Sequence, residues 1–197
     1  MPLILPSSPR PSKMTPRPIS SRNETRPATG AGPVGRNLRP GTRWAWDIQM
    51  RPMTYVDALA WDDLLEEGDT VVMDILQPGL VIGNPGAPLI DGANQSGRML
   101  NLKQAEPGYV FRKGQWLSMI LNGQRFAYKS RAAATADGAG KLTVPLRTML
   151  RVPTLNNAVV EIAKPMAEGW VTLEQDAHEI AADERLIRLR FTLEERE

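Results

Sequence analysis

Few residues in this chain are of a type and spacing that could do chemistry. Its one histidine, His178, lies in Glu174-Gln-Asp-Ala-His-Glu179, where a strand should give way to a polar loop. A histidine acts as a general base only beside a nucleophile or an orienting carboxylate. Spacing fixes no such partner, so His178 reads as a surface residue. Asp62, Asp63, Glu66 and Glu67 form like-charge i,i+4 pairs. Paired carboxylates can do acid–base work, and acid clusters can hold divalent cations. The plainer reading is a solvated helix face which, with Asp69 and Asp74 nearby, could receive a basic segment of a neighbouring molecule. The absence of cysteine excludes disulfides, thiolate metal clusters and a cysteine nucleophile. Thr29-Gly-Ala-Gly-Pro-Val-Gly35 lacks the Gly-Lys-Ser/Thr ending of a phosphate-cradling loop and follows no predicted strand, so it reads as a flexible joint. No catalytic, cofactor or metal site is assigned.

The third charged set is the largest. Up to Arg43 the chain carries Arg10, Lys13, Arg17, Arg22, Arg26, Arg36, Arg39 and Arg43 against Glu24 alone, a net +7. The whole chain is only +2, so residues 44–197 carry −5. Nine of the 17 prolines lie in the first 40 residues, and every aromatic residue lies from Trp44 onward. The sequence therefore divides into a basic, proline-rich arm, 1–43, and an acidic body, 44–197. The arm has too few apolar residues to offset its chain entropy alone, and its prolines favour an extended backbone. Its reach of about 130 Å at ~3.1 Å per residue predicts that it lies along neighbouring subunits. Spaced arginines could also meet nucleic acid phosphates, but the arm offers no aromatic residue for base stacking.

In the body, Trp44, Trp46, Ile48 and Met50 alternate with polar or small residues, the period of a half-buried strand. Thr54 and Asp57 make a capping-box-like start. Leu59, Trp61, Leu64 and Leu65 then predict one helix over 55–67. Short apolar runs follow at Thr70–Leu76, Leu80–Ile82, Tyr109–Phe111, Trp116–Leu121, Arg125–Ser130, Leu142–Leu146, Val159–Ala163, Trp170–Glu174 and Leu186–Leu193. Asn122-Gly123 is the strongest hairpin signal. The pattern predicts a mainly β fold, a β-sandwich or barrel carrying one helix. Trp44, Trp46 and Trp61 should pin the first strand to the helix, with Trp116 and Trp170 in the core. No apolar run approaches the ~20 residues of a membrane-spanning helix, and no secretory h-region opens the chain. A cytoplasmic site of synthesis follows as the expectation.

The segment from Ile90 to Arg151 resembles a known family. Its pieces are Asp91-Gly-Ala-Asn-Gln-Ser-Gly-Arg98, Phe111-Arg-Lys-Gly-Gln-Trp-Leu117, Asn122-Gly-Gln-Arg-Phe-Ala-Tyr128 and Asp137-Gly-Ala-Gly-Lys-Leu-Thr-Val-Pro-Leu-Arg147. In order and spacing these are similar to the small tail-tip, distal-tail-like proteins of long-tailed phages and prophages. The Ala60–Leu65 helix resembles one that the family carries before its strands. Gln115 stands where the family pattern has an acidic residue and Lys141 where it has a small one; both positions read as surface turns.

The resemblance implies a tail-tube/distal-tail-like sandwich and a structural, non-enzymatic virion protein of the tail tip. Such a protein would form a ring, hexameric in that family, joining the tail tube protein to the baseplate hub proteins. Nucleic acid would enter only by contact in the lumen. Other β-rich tail or neck rings (tube, terminator, adaptor), or a glycan- or nucleic-acid-binding module, are the alternatives. A hydrolase using Asp62, Asp63 or His178 is the remote one. On this reading, removing residues 1–43 leaves the body folded and impairs assembly.

Overall fold

The computed structural model describes residues 2–20, 23–25, 35–37, 41–67, 70–181 and 186–196, with the backbone only for 23–25, 35–37, Glu67 and 174–178. In chain order the elements begin with β1 (Leu3–Ile4), β2 (Pro11–Ile19), β3 (Asn23–Thr25), β4 (Gly35–Asn37), β5 (Arg43–Met50) and α1 (Tyr55–Glu67). Then come β6 (Val71–Asp74), β7 (Gly86–Ile90), β8 (Met99–Ala105), β9 (Val110–Phe111), β10 (Trp116–Leu121) and β11 (Gln124–Lys129). The last are β12 (Ala134–Thr135), β13 (Leu142–Pro145), β14 (Val160–Glu161), β15 (Met166–Ala181) and β16 (Leu186–Glu195). The fold is mainly β with a single helix among the described residues, as the patterning predicts.

Two cores organise it. The first lies on one face of a six-stranded sheet of order β1-β6-β15-β16-β5-β2. Alternation puts Trp44, Trp46, Ile48 and Met50 of β5 and Ile187, Leu189, Phe191 and Leu193 of β16 on that face. The helix covers one end of it. Thr54 Oγ1 accepts the Asp57 N–H at 3.4 Å and donates to the Asp57 carboxylate at 2.7 Å, closing the predicted start. Trp61 then packs on Phe191, ring centroids 6.3 Å apart.

The second core is enclosed by two three-stranded sheets, β13-β8-β7 and β11-β10-β14. Single bridges at Ser130–Leu146 and Leu89–Val159 join the ends of these sheets, so the circuit closes into a small barrel. The β10–β11 hairpin turns at Asn122 (φ 51°) and Gly123 (φ 79°), the left-handed pair that a two-residue type I′ turn requires. It serves both cores. Leu117, Met119, Phe126 and Tyr128 point into the barrel, while Trp116 and Ala127 join the core of the large sheet. Trp44 and Trp46 therefore meet Trp116, at 4.7 and 5.9 Å between centroids, in the same core as Trp61 of the helix.

Several expectations are corrected. Residues 80–82 form no strand, and β7 and β8 were not predicted. Trp170 is 45% exposed, because it pairs with Glu194 on the open face of the sheet, opposite the core. Leu59 is exposed, about 100° round the helix from Ala58 and off the buried stripe of Ala58, Trp61 and Leu65. Gln115 is buried rather than at the surface: its Oε1 accepts the Arg112 N–H at 2.9 Å, and its Nε2 donates to the Tyr109 hydroxyl at 2.8 Å. Lys141 is exposed, as expected.

The largest correction concerns the arm. Residues 2–20 are held by the chain's own body. β1 pairs in parallel with β6 at one edge of the large sheet, and β2 pairs antiparallel with β5 at the other. Leu5, between them, is buried in the first core. The compositional boundary at 43/44 is thus not a structural one for this segment. Deleting residues 2–20 should then destabilise the body, contrary to the expectation from sequence. The lost Leu5 burial and β2 packing predict a Tm lower by roughly 10 °C, with aggregation through the bared edges. Thermal denaturation and size-exclusion chromatography check this; an unchanged Tm in a monodisperse truncated protein refutes it.

Candidate functional site

Of the basic arm residues, Arg10, Lys13, Arg17 and Arg43 are described. Arg22, Arg26 and Arg39, and the side chain of Arg36, lie outside the described residues. The fold does not bring the described ones to the acidic helix face. Arg17 and Arg43 sit on the open face of the large sheet, where Arg17 Nε meets Asp47 Oδ1 at 3.2 Å and Arg43 Nη2 meets Glu194 Oε1 at 2.6 Å. The Arg10 carbonyl accepts from Arg51 Nε at 3.0 Å, and Lys13 is exposed. On α1, Asp63 and Glu66 are exposed and Asp62 is half-buried; the side chain of Glu67 lies outside the described residues. Among the described residues no three acidic or histidine side chains come close enough to share a metal ion. His178 lies within β15, opposite Leu189, and its side chain is outside the described residues.

Two charged constellations were not visible in the sequence. The first joins the large sheet to the barrel. β11 is the edge strand of its sheet, and the N–H groups of Arg125 and Ala127 point away from β10. Two carboxylates from the large sheet take them: Glu168 Oε2 accepts Arg125 N–H at 3.1 Å, and Glu195 Oε1 accepts Ala127 N–H at 2.7 Å. Glu195 Oε2 also accepts the Trp44 N–H at 2.8 Å. Three arginines balance the charge. Arg196 Nη2 donates to Glu168 Oε1. Arg125 lies 3.2 Å from Glu161, which also accepts from Ser118 Oγ. Arg151 Nη2 lies 3.0 Å from Glu195 Oε1, close but poorly aligned as a hydrogen bond. Arg151 also covers the Phe126 ring at 5.0 Å, and its N–H donates to the Tyr128 hydroxyl at 3.0 Å.

The Glu195 carboxyl is pushed up to about 7, because complete burial outweighs Arg151 and the two N–H groups that favour its charged form. Gly169, opposite Glu195, leaves the room this arrangement needs. A Cβ there would stand 2.0 Å from the Glu194 carbonyl oxygen.

The second constellation is a cleft where β2 and β5 meet the barrel. Two adjoining cavities of about 350 and 560 Å3 share Arg98, Lys129 and Arg147 in their walls. Lys113 and Arg131 line the larger one. Backbone pairing brings these distant residues together: the Arg98 carbonyl accepts Leu146 N–H at 2.7 Å, and the Lys129 carbonyl accepts Arg147 N–H at 2.8 Å. Arg98 and Arg147 are the last residues of two segments that carry the family resemblance, which was their only signal in the sequence.

No protein-family model matches the chain, and no curated protein matches it.

The Glu195 shift has a consequence for stability. Below pH 4.5 both states are protonated. Between 4.5 and 7 the unfolded chain ionises while the folded one keeps its proton, so stability falls as pH rises. The loss is roughly 3 kcal/mol over that window, and it levels off above it. Urea unfolding at pH 5 and 7.5 should show this fall in the natural protein and a smaller one in Glu195→Gln. Equal slopes would mean that Glu195 does not titrate in this range.

Proposed function

We propose that this chain is a structural subunit of a phage tail tip, a distal-tail-like ring component between tail tube and baseplate hub. The observation that carries an assembly role is the outer face of α1. Tyr55, Val56 and Leu59 are 61, 76 and 40% exposed on a helix whose other face is already buried. Asp63 and Glu66 continue the same face toward the helix C-terminus, where acidic groups oppose the helix dipole and the last turn holds no basic residue. An apolar patch running into a negative one suits a partner with an apolar and a basic part.

Growth by strand addition is blocked on both sides. β2 has proline at positions 16 and 18, which lack the N–H that a further strand would need, and β1 has only two residues. Association through faces that differ between partners closes into a ring when the rotation permits. The family resemblance of Ile90–Arg151 supplies the tail-tip setting. The remaining arm cations, Arg22, Arg26, Arg36 and Arg39, are the segment we assign to contacts with neighbouring subunits or tail proteins.

Electron cryo-microscopy of the phage particle that carries the protein tests the reading: one ring at the distal end of the tail tube is expected. Stacked rings along the tail, a head-proximal position, or absence from the particle would each refute it. In solution, Val56→Lys with Leu59→Lys should abolish self-association in native mass spectrometry while shifting Tm by less than about 2 °C, as exposed substitutions do. Unchanged association would remove α1 from the interface.

A further inference from the structure

We propose that the cleft lined by Arg98, Lys129 and Arg147 is a binding site for a small polyanion of the phosphate class. This does not rest on the tail-tip reading. Three cations from three separate strand ends are held side by side by backbone hydrogen bonds, and Lys113 and Arg131 extend the set to five along the adjoining cavity. Among the described residues no carboxylate lines either cavity. Among the described residues none of the five cations forms an ion pair, although most other arginines of the fold have acidic partners. Like charges gathered without a counter-charge raise the energy of the folded chain, and the positions fit a ligand that offsets it.

Details within the cleft point the same way. Arg98 Nε is buried and has no acceptor, leaving a donor to be satisfied by something that enters. The Lys129 ammonium lies 5.0 Å from the Trp116 ring centroid, and its pKa is lowered by burial and then by Arg147. An anion would reverse that penalty. Guanidinium groups match the oxygens of phosphate with paired N–H donors. Five cations exceed what one carboxylate needs, and the cavity volumes are those of small-ligand sites. A polynucleotide fits less well. The tryptophans beside the cleft, Trp44 and Trp116, are buried against each other, so neither offers a face on which a base could stack.

The full-length protein should be titrated calorimetrically with inorganic phosphate, with tripolyphosphate and with a ten-nucleotide single-stranded DNA, all at one ionic strength set with sodium chloride. Saturable binding of tripolyphosphate is expected, at least tenfold tighter than phosphate and accompanied by a rise in Tm. Arg98→Gln with Arg147→Gln should weaken it at least tenfold. If that pair fails to fold, Lys113→Gln with Arg131→Gln, on the exposed rim, should still weaken it several-fold with an unchanged circular dichroism spectrum. Absence of saturable binding, or affinity undiminished in the folded variants, overturns the proposal. So does DNA binding tighter than tripolyphosphate and lost in the same variants, which would make the cleft a track for nucleic acid.

Discussion

The structure depends on how one strand edge is satisfied. β11 must present its Arg125 and Ala127 N–H groups to the interior between the two cores. A buried donor without a partner costs roughly 1–3 kcal/mol. Another strand would be the ordinary solution. Here the large sheet instead sends in two carboxylates, Glu168 and Glu195, each taking one N–H. Taking carboxylates out of water is itself expensive, which is why Arg125, Arg151 and Arg196 surround them. The remaining penalty is visible in Glu195, whose carboxyl is driven toward its neutral form.

That choice constrains residues far from it. The end of β16 has to lie over the hairpin, so Trp44 and Trp46 find Trp116, and the first core closes across the joint. β15 has to approach β16 so closely at position 169 that only glycine fits. Arg151 ties the loop after β13 to the same point through Tyr128 and Phe126. The barrel and the sheet are therefore coupled by a polar knot inside an otherwise apolar contact. Such knots fix relative placement more than they add stability.

Strands whose pattern is local were legible in the sequence. Trp116–Leu121 and its Asn122-Gly123 turn announce themselves by alternation and turn chemistry, and 55–67 by its cap and helical spacing. β7 was hidden by Pro88, which argues against a strand, and β8 because its buried apolar set is only Leu100, Leu102 and Ala105. The barrel they complete is closed by single bridges that no local signal specifies. Both charged constellations were illegible for the same reason. Glu168 and Glu195 look like ordinary surface acids until the fold carries them to β11. The cleft cations are 49 residues apart from Arg98 to Arg147, and only backbone pairing makes them neighbours. Trp170 was misplaced because its alternation is correct but its face is the open one.

The division of charge between a +7 arm and a −5 body suggests a strap laid across another molecule. The described pairs make much of it a strap within one chain: Arg17 on Asp47 and Arg43 on Glu194 stitch the arm and the strand after it to the acidic open face of their own sheet. Exposed pairs of this kind contribute little each, so the ladder of β2 and the burial of Leu5 must carry the attachment, with the charges setting register. A segment that polar and proline-rich could not fold alone, yet it suits this edge. It needs only one partner strand, and its prolines deny the next one. The arm is thus both the last strand of the sheet and the device that stops the sheet from growing. Edge-to-edge growth at β2 is thereby closed to copies of this chain.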